Sequence, residues 1–124
     1  MHEAVEALGN MSDENTSRLI EQYRDSNSDI SAMVIETCEL AQDLIKWNKE
    51  TNMGATENLD LSKLRFTTND PAPPFNYKAD ASYTDVGNLT AIMLDNENKS
   101  LFVRYRAMFT LRELYTEESC RAIC

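Results

Sequence analysis

The residues best suited to chemistry lie in the first helical turns, where the single histidine, His2, is followed by Glu3 and then by Glu6. On a helix His2 and Glu6 share a face, and Glu3 lies one step round. An imidazole beside two carboxylates is a ligand set that suits iron or zinc. A histidine near a terminus with glutamate neighbours is, however, more often a solvated pair than a metal site. The zinc-protease motif is excluded, because it needs a second histidine at position 6.

The three cysteines are the other reactive side chains. Cys38 falls on the apolar side of a predicted helix, and no second histidine exists to activate it. We therefore expect a small buried residue rather than a nucleophile. Cys120 and Cys124 are one turn apart, but two thiols without further ligands make a poor metal site, so we expect both to serve packing. An odd cysteine count without a secretory signal favours reduced thiols and a cytoplasmic protein.

Two helical blocks, 1–50 and 84–124, must position these residues, because apolar residues recur at helical spacing in both. In the first block, Gly9 suits the left-handed residue just past the end of a short helix. Ser12 or Asp13 can then cap a second helix. The predicted apolar stripe of this second helix is Thr16, Leu19, Ile20 and Tyr23.

The third helix of the first block has the clearest amphipathic periodicity in the chain. It follows a predicted cap at Asp29, and Cys38 lies on its apolar side. The stripe comprises Ile30, Val34, Thr37, Cys38, Ala41, Leu44 and Ile45. Short helices with one apolar stripe each cannot bury that stripe alone, so they need neighbours stacked on them, as in α-solenoids.

In the second block, Thr84 or Asp85 can cap one helix, Ser100 opens a longer helix to Leu114, and Thr116 starts another. The long helix is mostly apolar around its circumference, so we expect it to be covered on several sides.

The long helix also carries five polar positions of interest. Only Arg106, Thr110 and Glu113 form a polar stripe. Arg104 and Arg112 fall near the apolar side, where a buried guanidinium needs a carboxylate or carbonyl partner. They could hold an acidic group of a partner, but we favour a role as pins between helices.

A polar stretch of about 51–83 separates the blocks and contains all three prolines, in the sequence Asn-Asp-Pro-Ala-Pro-Pro-Phe. Proline fixes φ and removes an amide donor, so no helix can run through 70–74. We expect a short polyproline-like strut inside a linker that is the least ordered part of the chain.

The net charge of −9 makes a nucleic-acid partner unexpected, and the charge is uneven. Residues 1–50 hold eleven acidic against four basic residues. Such a block would attract a cationic ligand or basic partner. From charge alone, however, we favour an ordinary solvated acidic surface. No apolar run indicates a signal peptide or a membrane span.

Several segments together resemble the deoxyhypusine hydroxylase family. They occur in the family's order, with compatible spacing, and cover the first helix, the third helix, the middle of the linker and most of the second block. The segments are His2 to Gly9, Val34 to Ala41, Asp70 to Pro74, and Leu101 to Arg112 followed by Thr116-Glu117-Glu118.

The resemblance implies an all-α fold, a HEAT-like α-solenoid of short helical hairpins in two halves. It implies a di-iron centre held by four His-Glu pairs, of which His2 and Glu3 are one. It also implies a monooxygenase that uses dioxygen to hydroxylate the deoxyhypusine side chain of translation initiation factor 5A. That side chain is a long polyamine-like cation, which fits the acidic first block.

The chain departs from the family in four respects: it has one His-Glu pair, Met1 directly precedes that pair where the family has Met-Val-Arg, Ile35 replaces an arginine, and Tyr115 replaces a glycine at a helix end. We therefore interpret it as a fragment or a truncated gene model of a hydroxylase, with a drifted paralogue as the alternative. In this interpretation 1–50 ends the first half, 51–83 is the linker, and 84–124 begins the second half. The alternative function is a non-catalytic HEAT-like repeat scaffold or protein-binding module.

Overall fold

The computed structural model describes residues 2–26, 31–52 and 59–124, and within these ranges all regular structure is helical, without a strand. The all-α prediction is therefore confirmed. No helix in the described ranges combines the length and apolar character needed to cross a bilayer. The six α-helices are α1 (His2–Met11), α2 (Glu14–Ser26), α3 (Ala32–Asn52), α4 (Val86–Leu94), α5 (Leu101–Leu114) and α6 (Glu117–Ile123). Two short 3-10 turns, Leu61–Lys63 and Ala81–Thr84, precede α4.

The chain forms two compact units, Met1–Thr56 and Glu57–Cys124. In the first unit, α1 and α2 pack on α3 and on each other. The predicted stripe of α3 is buried or half-buried from Val34 to Ile45, whereas Ile30 and the predicted cap Asp29 lie outside the described residues. On α2 the prediction was wrong for Leu19, which is 56% exposed at the edge of the stripe. The core of this unit comprises Val5, Ile20, Cys38, Ala41 and Ile45.

The end of α1 differs from the prediction. Gly9 does not terminate the helix but lies inside it, buried against α3. A Cβ added at Gly9 would lie 2.9 Å from the Cβ of Ala41, so the missing side chain permits a close approach of two helices. The left-handed residue is instead Ser12, with φ 52°, whose hydroxyl donates to the Gly9 carbonyl at 3.1 Å. Of the two predicted caps of α2, Asp13 is the one used, because its side chain accepts a hydrogen bond from Asn15 N.

This close approach gives a prediction in which two glycine-to-alanine changes differ in their effect on stability. Gly9→Ala should lower the free energy of unfolding, because overpacking costs about 1–3 kcal/mol and outweighs the better helix propensity of alanine. Gly87→Ala, the matched control near the exposed start of α4, meets only the Asp85 carboxylate, at 3.2 Å. The oxygen that it meets also accepts from Asn88 N, so the gain in helix propensity is set against a small shift of the cap, and stability should change by less than about 1 kcal/mol. Urea denaturation of both variants measures the two changes, and a Gly9→Ala chain as stable as the unsubstituted chain would contradict the close approach.

In the second unit, α4, α5 and α6 pack around Phe75, Leu89, Ala107 and Leu111. The predicted caps are confirmed. The side chain of Asp85 accepts from Asn88 N at 2.8 Å, and that of Ser100 accepts from Val103 N. Thr116 and Ser119 bond reciprocally at the start of α6.

Tyr115, between α5 and α6, adopts the left-handed conformation, with φ 51° and ψ 40°. This conformation is costly for a residue with a Cβ. Contacts of the ring offset the cost. The ring centroid lies 6.1 Å from that of Phe66, and the Arg65 guanidinium stacks over it at 4.7 Å.

The proline stretch contains no helix through 70–74, as predicted, and the Asp70–Pro71 peptide bond is cis. However, the stretch is not loosely held over its described length, because Leu64 and the run from Ala72 to Phe75 are buried in the second unit. The expectation that it is the least ordered region is wrong for these residues. The boundaries 1–50, 51–83 and 84–124 stay a prediction.

Candidate metal centre

The candidate ligands His2 and Glu3 are the first two residues of α1. The Nε2 atom of His2 lies 3.3 Å from the Oε1 atom of Glu3. Both side chains reach solvent, with 42% of His2 and 73% of Glu3 exposed. A hydrogen bond to its own backbone amide, with a smaller contribution from His2, lowers the pKa of Glu3. The carboxylate is thus ionised and available as an oxygen donor at neutral pH.

The helix that carries this pair is fixed against α3 by two of its residues. Val5 and Gly9 are buried against α3, and Asn48 of α3 donates to the Ser12 hydroxyl at 2.5 Å, just beyond the end of α1. Glu3 therefore lies on the solvent side of an anchored helix, whereas His2, seven residues before Gly9, lies nearer the buried face and is less exposed.

The pair alone does not complete a metal site. Within the described ranges, no three His, Cys, Asp or Glu side chains come close enough to hold a metal ion together. The three-donor set of His2, Glu3 and Glu6 that the helical spacing suggested is therefore not formed. A nitrogen donor and a carboxylate oxygen suit iron, and both are accessible to solvent. The pair can therefore supply two of the ligands of an iron site.

The cysteines divide into one buried and two exposed thiols. Cys38 is fully buried in the first unit, as predicted, and burial raises the pKa of its thiol. That combination keeps it protonated and unreactive. The packing role predicted for Cys120 and Cys124 is wrong in this structure, because Cys120 on α6 and Cys124 just after it are both exposed.

The two arginines predicted as pins behave differently. Arg104 confirms the prediction, because its Nε donates to the Met93 carbonyl of α4 at 2.9 Å. Arg112 reaches the proline stretch instead of a helix, and one of its terminal nitrogens donates to the Thr68 carbonyl at 2.8 Å. Its guanidinium also stacks on Phe66 and Phe109, at 4.8 Å and 4.6 Å.

The polar stripe of α5 proved to be buried. Arg106, Thr110 and Glu113 are 6%, 0% and 4% exposed. Nothing in the local sequence distinguishes this face from a solvated one, because the segment that covers it is more than thirty residues away.

Each of these three side chains binds main-chain atoms of the proline stretch. Arg106 donates to the carbonyls of Pro73 at 3.1 Å and Pro74 at 3.2 Å. The Thr110 hydroxyl accepts from Phe75 N at 2.8 Å. The Glu113 carboxylate accepts from the consecutive amides of residues 65 and 66, at 2.8 Å and 3.1 Å. The row formed by Arg106, Thr110 and Glu113 on α5 therefore fixes the path of the proline stretch.

No family model matches the chain. It is similar, over 98% of its length, to proteins named deoxyhypusine hydroxylase. The relative from Debaryomyces hansenii is 38% identical over 122 residues, and that from Candida albicans is 40% identical over 122 residues. The chain spans 36% of each of these relatives, about a third of their length.

The solved structure of human deoxyhypusine hydroxylase in complex with glycerol gives the same result for the fold. It is 37% identical, with a TM-score of 0.71, and the match covers 98% of this chain and 36% of that chain. The resemblance that the motifs indicated and the predicted HEAT-like helical fold are thus confirmed.

Proposed function

We propose that this chain is part of a deoxyhypusine hydroxylase, an iron-dependent monooxygenase that converts the deoxyhypusine side chain of translation initiation factor 5A to hypusine. The observation that supports this most is similarity to curated proteins of that name along 98% of the chain. Because the chain spans about a third of those relatives, the activity of a whole protein is proposed here rather than assigned.

In this proposal His2 and Glu3 are one of four His-Glu pairs that together hold a di-iron centre. The imidazole supplies a ring nitrogen and the carboxylate an oxygen, a mixture that suits iron. The chemistry that bound iron supplies is the activation of dioxygen for hydroxylation. The role of α1 is to present both donors, still accessible to solvent, at the first turn of a helix that Val5 and Gly9 fix against α3.

The acidic character of the first block supports a cationic substrate. Residues 1–50 carry eleven acidic and four basic residues, so their field attracts a polyamine-like side chain and repels anions. The proposed partners are dioxygen and the deoxyhypusine form of translation initiation factor 5A. The proposed location of the reaction is the cytoplasm. In this proposal, residues 1–50 are the end of one helical-repeat half and residues 84–124 are the start of the other half. Residues 51–83 join them.

A chimera tests this function. The 122 matched residues of this chain would replace the corresponding third of the Candida albicans relative, which is 40% identical there. We expect the chimera to load iron and to hydroxylate deoxyhypusine in factor 5A, because the remaining two thirds would supply the other ligand pairs. Mass spectrometry of the factor measures the added oxygen atom, and metal analysis measures the iron.

The control is the 124-residue chain alone, which should bind iron weakly and leave deoxyhypusine unchanged, because two donors do not complete a site. A folded chimera that binds no iron and has no activity would contradict the proposal. Helical circular dichroism and a cooperative unfolding transition establish that it is folded.

A further inference from the structure

A cleft in the second unit gathers basic side chains, in a chain whose net charge is −9. It lies between the proline stretch and the end of α5 and has a volume of about 550 Å³. Its charged and polar lining residues are Lys63, Arg65, Tyr77, Lys78 and Glu113. Three of the twelve lysines and arginines of the chain therefore surround one cavity, and none of them has a part in the proposed hydroxylase chemistry.

Each basic side chain of this cleft is positioned by a contact within the second unit. The Arg65 guanidinium stacks over the ring of Tyr115, at 4.7 Å from its centroid. The Lys78 ammonium donates to the carbonyl of Lys63 at 3.4 Å, so the segments that carry the two lysines lie side by side. The Lys63 ammonium lies 3.1 Å from the Asp60 carboxylate, which partly neutralises it. Arg65 and Lys78 therefore supply most of the positive charge of the cleft.

Glu113, the acidic side chain of the lining, does not cancel this charge. Its carboxylate is buried and accepts from the amides of residues 65 and 66, and the Arg112 guanidinium lies 3.6 Å from it. Burial, followed by the negative charge of Glu113, raises the pKa of Tyr77. The phenol therefore stays protonated at neutral pH and adds a neutral O–H donor to the two cations.

This set of donors suits a phosphate group. A guanidinium is a planar fork that binds two phosphate oxygens at once, and an ammonium binds phosphate as a point charge. A phosphate monoester carries a charge near −2 at neutral pH and three acceptor oxygens, which match two cations and one hydroxyl donor. A single carboxylate has one charge and two oxygens, so it would leave one cation uncompensated. The cleft is larger than a phosphate group and leaves room for the group that carries it.

We propose that this cleft binds a phosphate monoester, with Arg65, Lys78 and Tyr77 as the donors. A small phosphorylated molecule and a phosphorylated peptide present the same three oxygens, so the chemistry of recognition is shared by both. The binding is non-covalent and does not depend on iron. It also does not rest on the proposed hydroxylase function, because the cleft is lined by residues of the second unit alone.

The test is isothermal titration calorimetry of the chain with inorganic phosphate, glycerol phosphate and a phosphoserine peptide, at neutral pH and constant ionic strength. We expect one bound molecule per chain, and the tighter of the two monoesters identifies the source of the phosphate. Arg65→Ala and Lys78→Ala should each weaken binding about 10–100-fold, because each removes a charge-assisted hydrogen bond. Tyr77→Phe should weaken it about 2–10-fold, because it removes one neutral donor.

Two of the variants separate a site from diffuse attraction between charges. Tyr77→Phe keeps the net charge, so a merely electrostatic attraction would not respond to it. Lys99→Ala removes an exposed lysine outside the cleft, makes the same change in charge as Lys78→Ala, and should leave the affinity unchanged. Far-UV circular dichroism establishes that each variant is folded. Equal losses in Lys99→Ala and Lys78→Ala, an unchanged affinity in Arg65→Ala, or no binding of any of the three probes would overturn the proposal.

Discussion

His2→Ala in the chimera is expected to abolish both iron loading and hydroxylation of deoxyhypusine. Loss of a contact that merely orients a ligand costs about 10–100-fold in metal affinity or activity, and loss of the ligand itself should cost more. Glu3→Ala should have the same effect, because it removes the oxygen donor of the pair. Metal analysis of the purified chimera and mass spectrometry of the product measure the two losses separately.

The exposure of the pair makes this experiment selective. With 42% of His2 and 73% of Glu3 in solvent, neither substitution removes core packing within this chain. The variants should therefore unfold as the unsubstituted chimera does after its iron has been removed, and the stability that bound iron adds should be lost. Glu21→Ala, on the exposed side of α2, makes the same change in net charge as Glu3→Ala and should keep iron and activity. A His2→Ala chimera that retained iron and activity would remove His2 from the ligand set.

The largest expected effect on stability comes from Arg106→Met. Methionine fills part of the volume but leaves the carbonyls of Pro73 and Pro74 buried without their donor. Each unsatisfied buried acceptor costs about 1–3 kcal/mol, so we expect a loss of about 2–5 kcal/mol in the free energy of unfolding. The guanidinium also stacks on Phe75 at 4.5 Å, and that contact is lost as well.

Urea denaturation measures the loss, and limited proteolysis locates it. The first new cleavage in Arg106→Met should fall within 64–75, because that stretch loses its attachment to α5. Arg121→Met is the matched control, since Arg121 is 79% exposed and makes one ion pair with Glu117. It should change stability by less than about 1 kcal/mol. Equal stability of the two variants would show that the buried arginine does not hold the stretch.

The elements set by local chemistry were predictable from the sequence. Ser100 and Thr116 accept hydrogen bonds from amides three residues on, so residue type and spacing were enough to find these helix starts. The α3 stripe was predictable for a similar reason, because one apolar face on a long helix has to be buried. The resemblance to the hydroxylase family rested on several such segments in order.

The errors have a common physical cause, which is a partner distant in sequence. Gly9 looked like a helix end because its role depends on the approach of Ala41. Arg106 looked like part of a polar stripe because the carbonyls that cover it lie more than thirty residues earlier. Conversely, Cys120 looked like a packing residue, but no described neighbour buries it. The remainder of the metal site was not predictable from this chain, because one His-Glu pair does not specify its companions.

The attachment of the proline stretch to α5 has an evolutionary consequence. The row of Arg106, Thr110 and Glu113 contacts amides and carbonyls of the stretch, and these groups are present whichever side chains the stretch carries. Substitutions at the exposed positions 65, 67 and 68 therefore leave the attachment intact, except that a proline at position 65 would remove an amide from which Glu113 accepts. Homologous sequences should vary at exposed positions such as 67 and 68, while the row on the helix and the buried residues from Ala72 to Phe75 stay constant. The path of this segment is thus inherited largely through residues of α5.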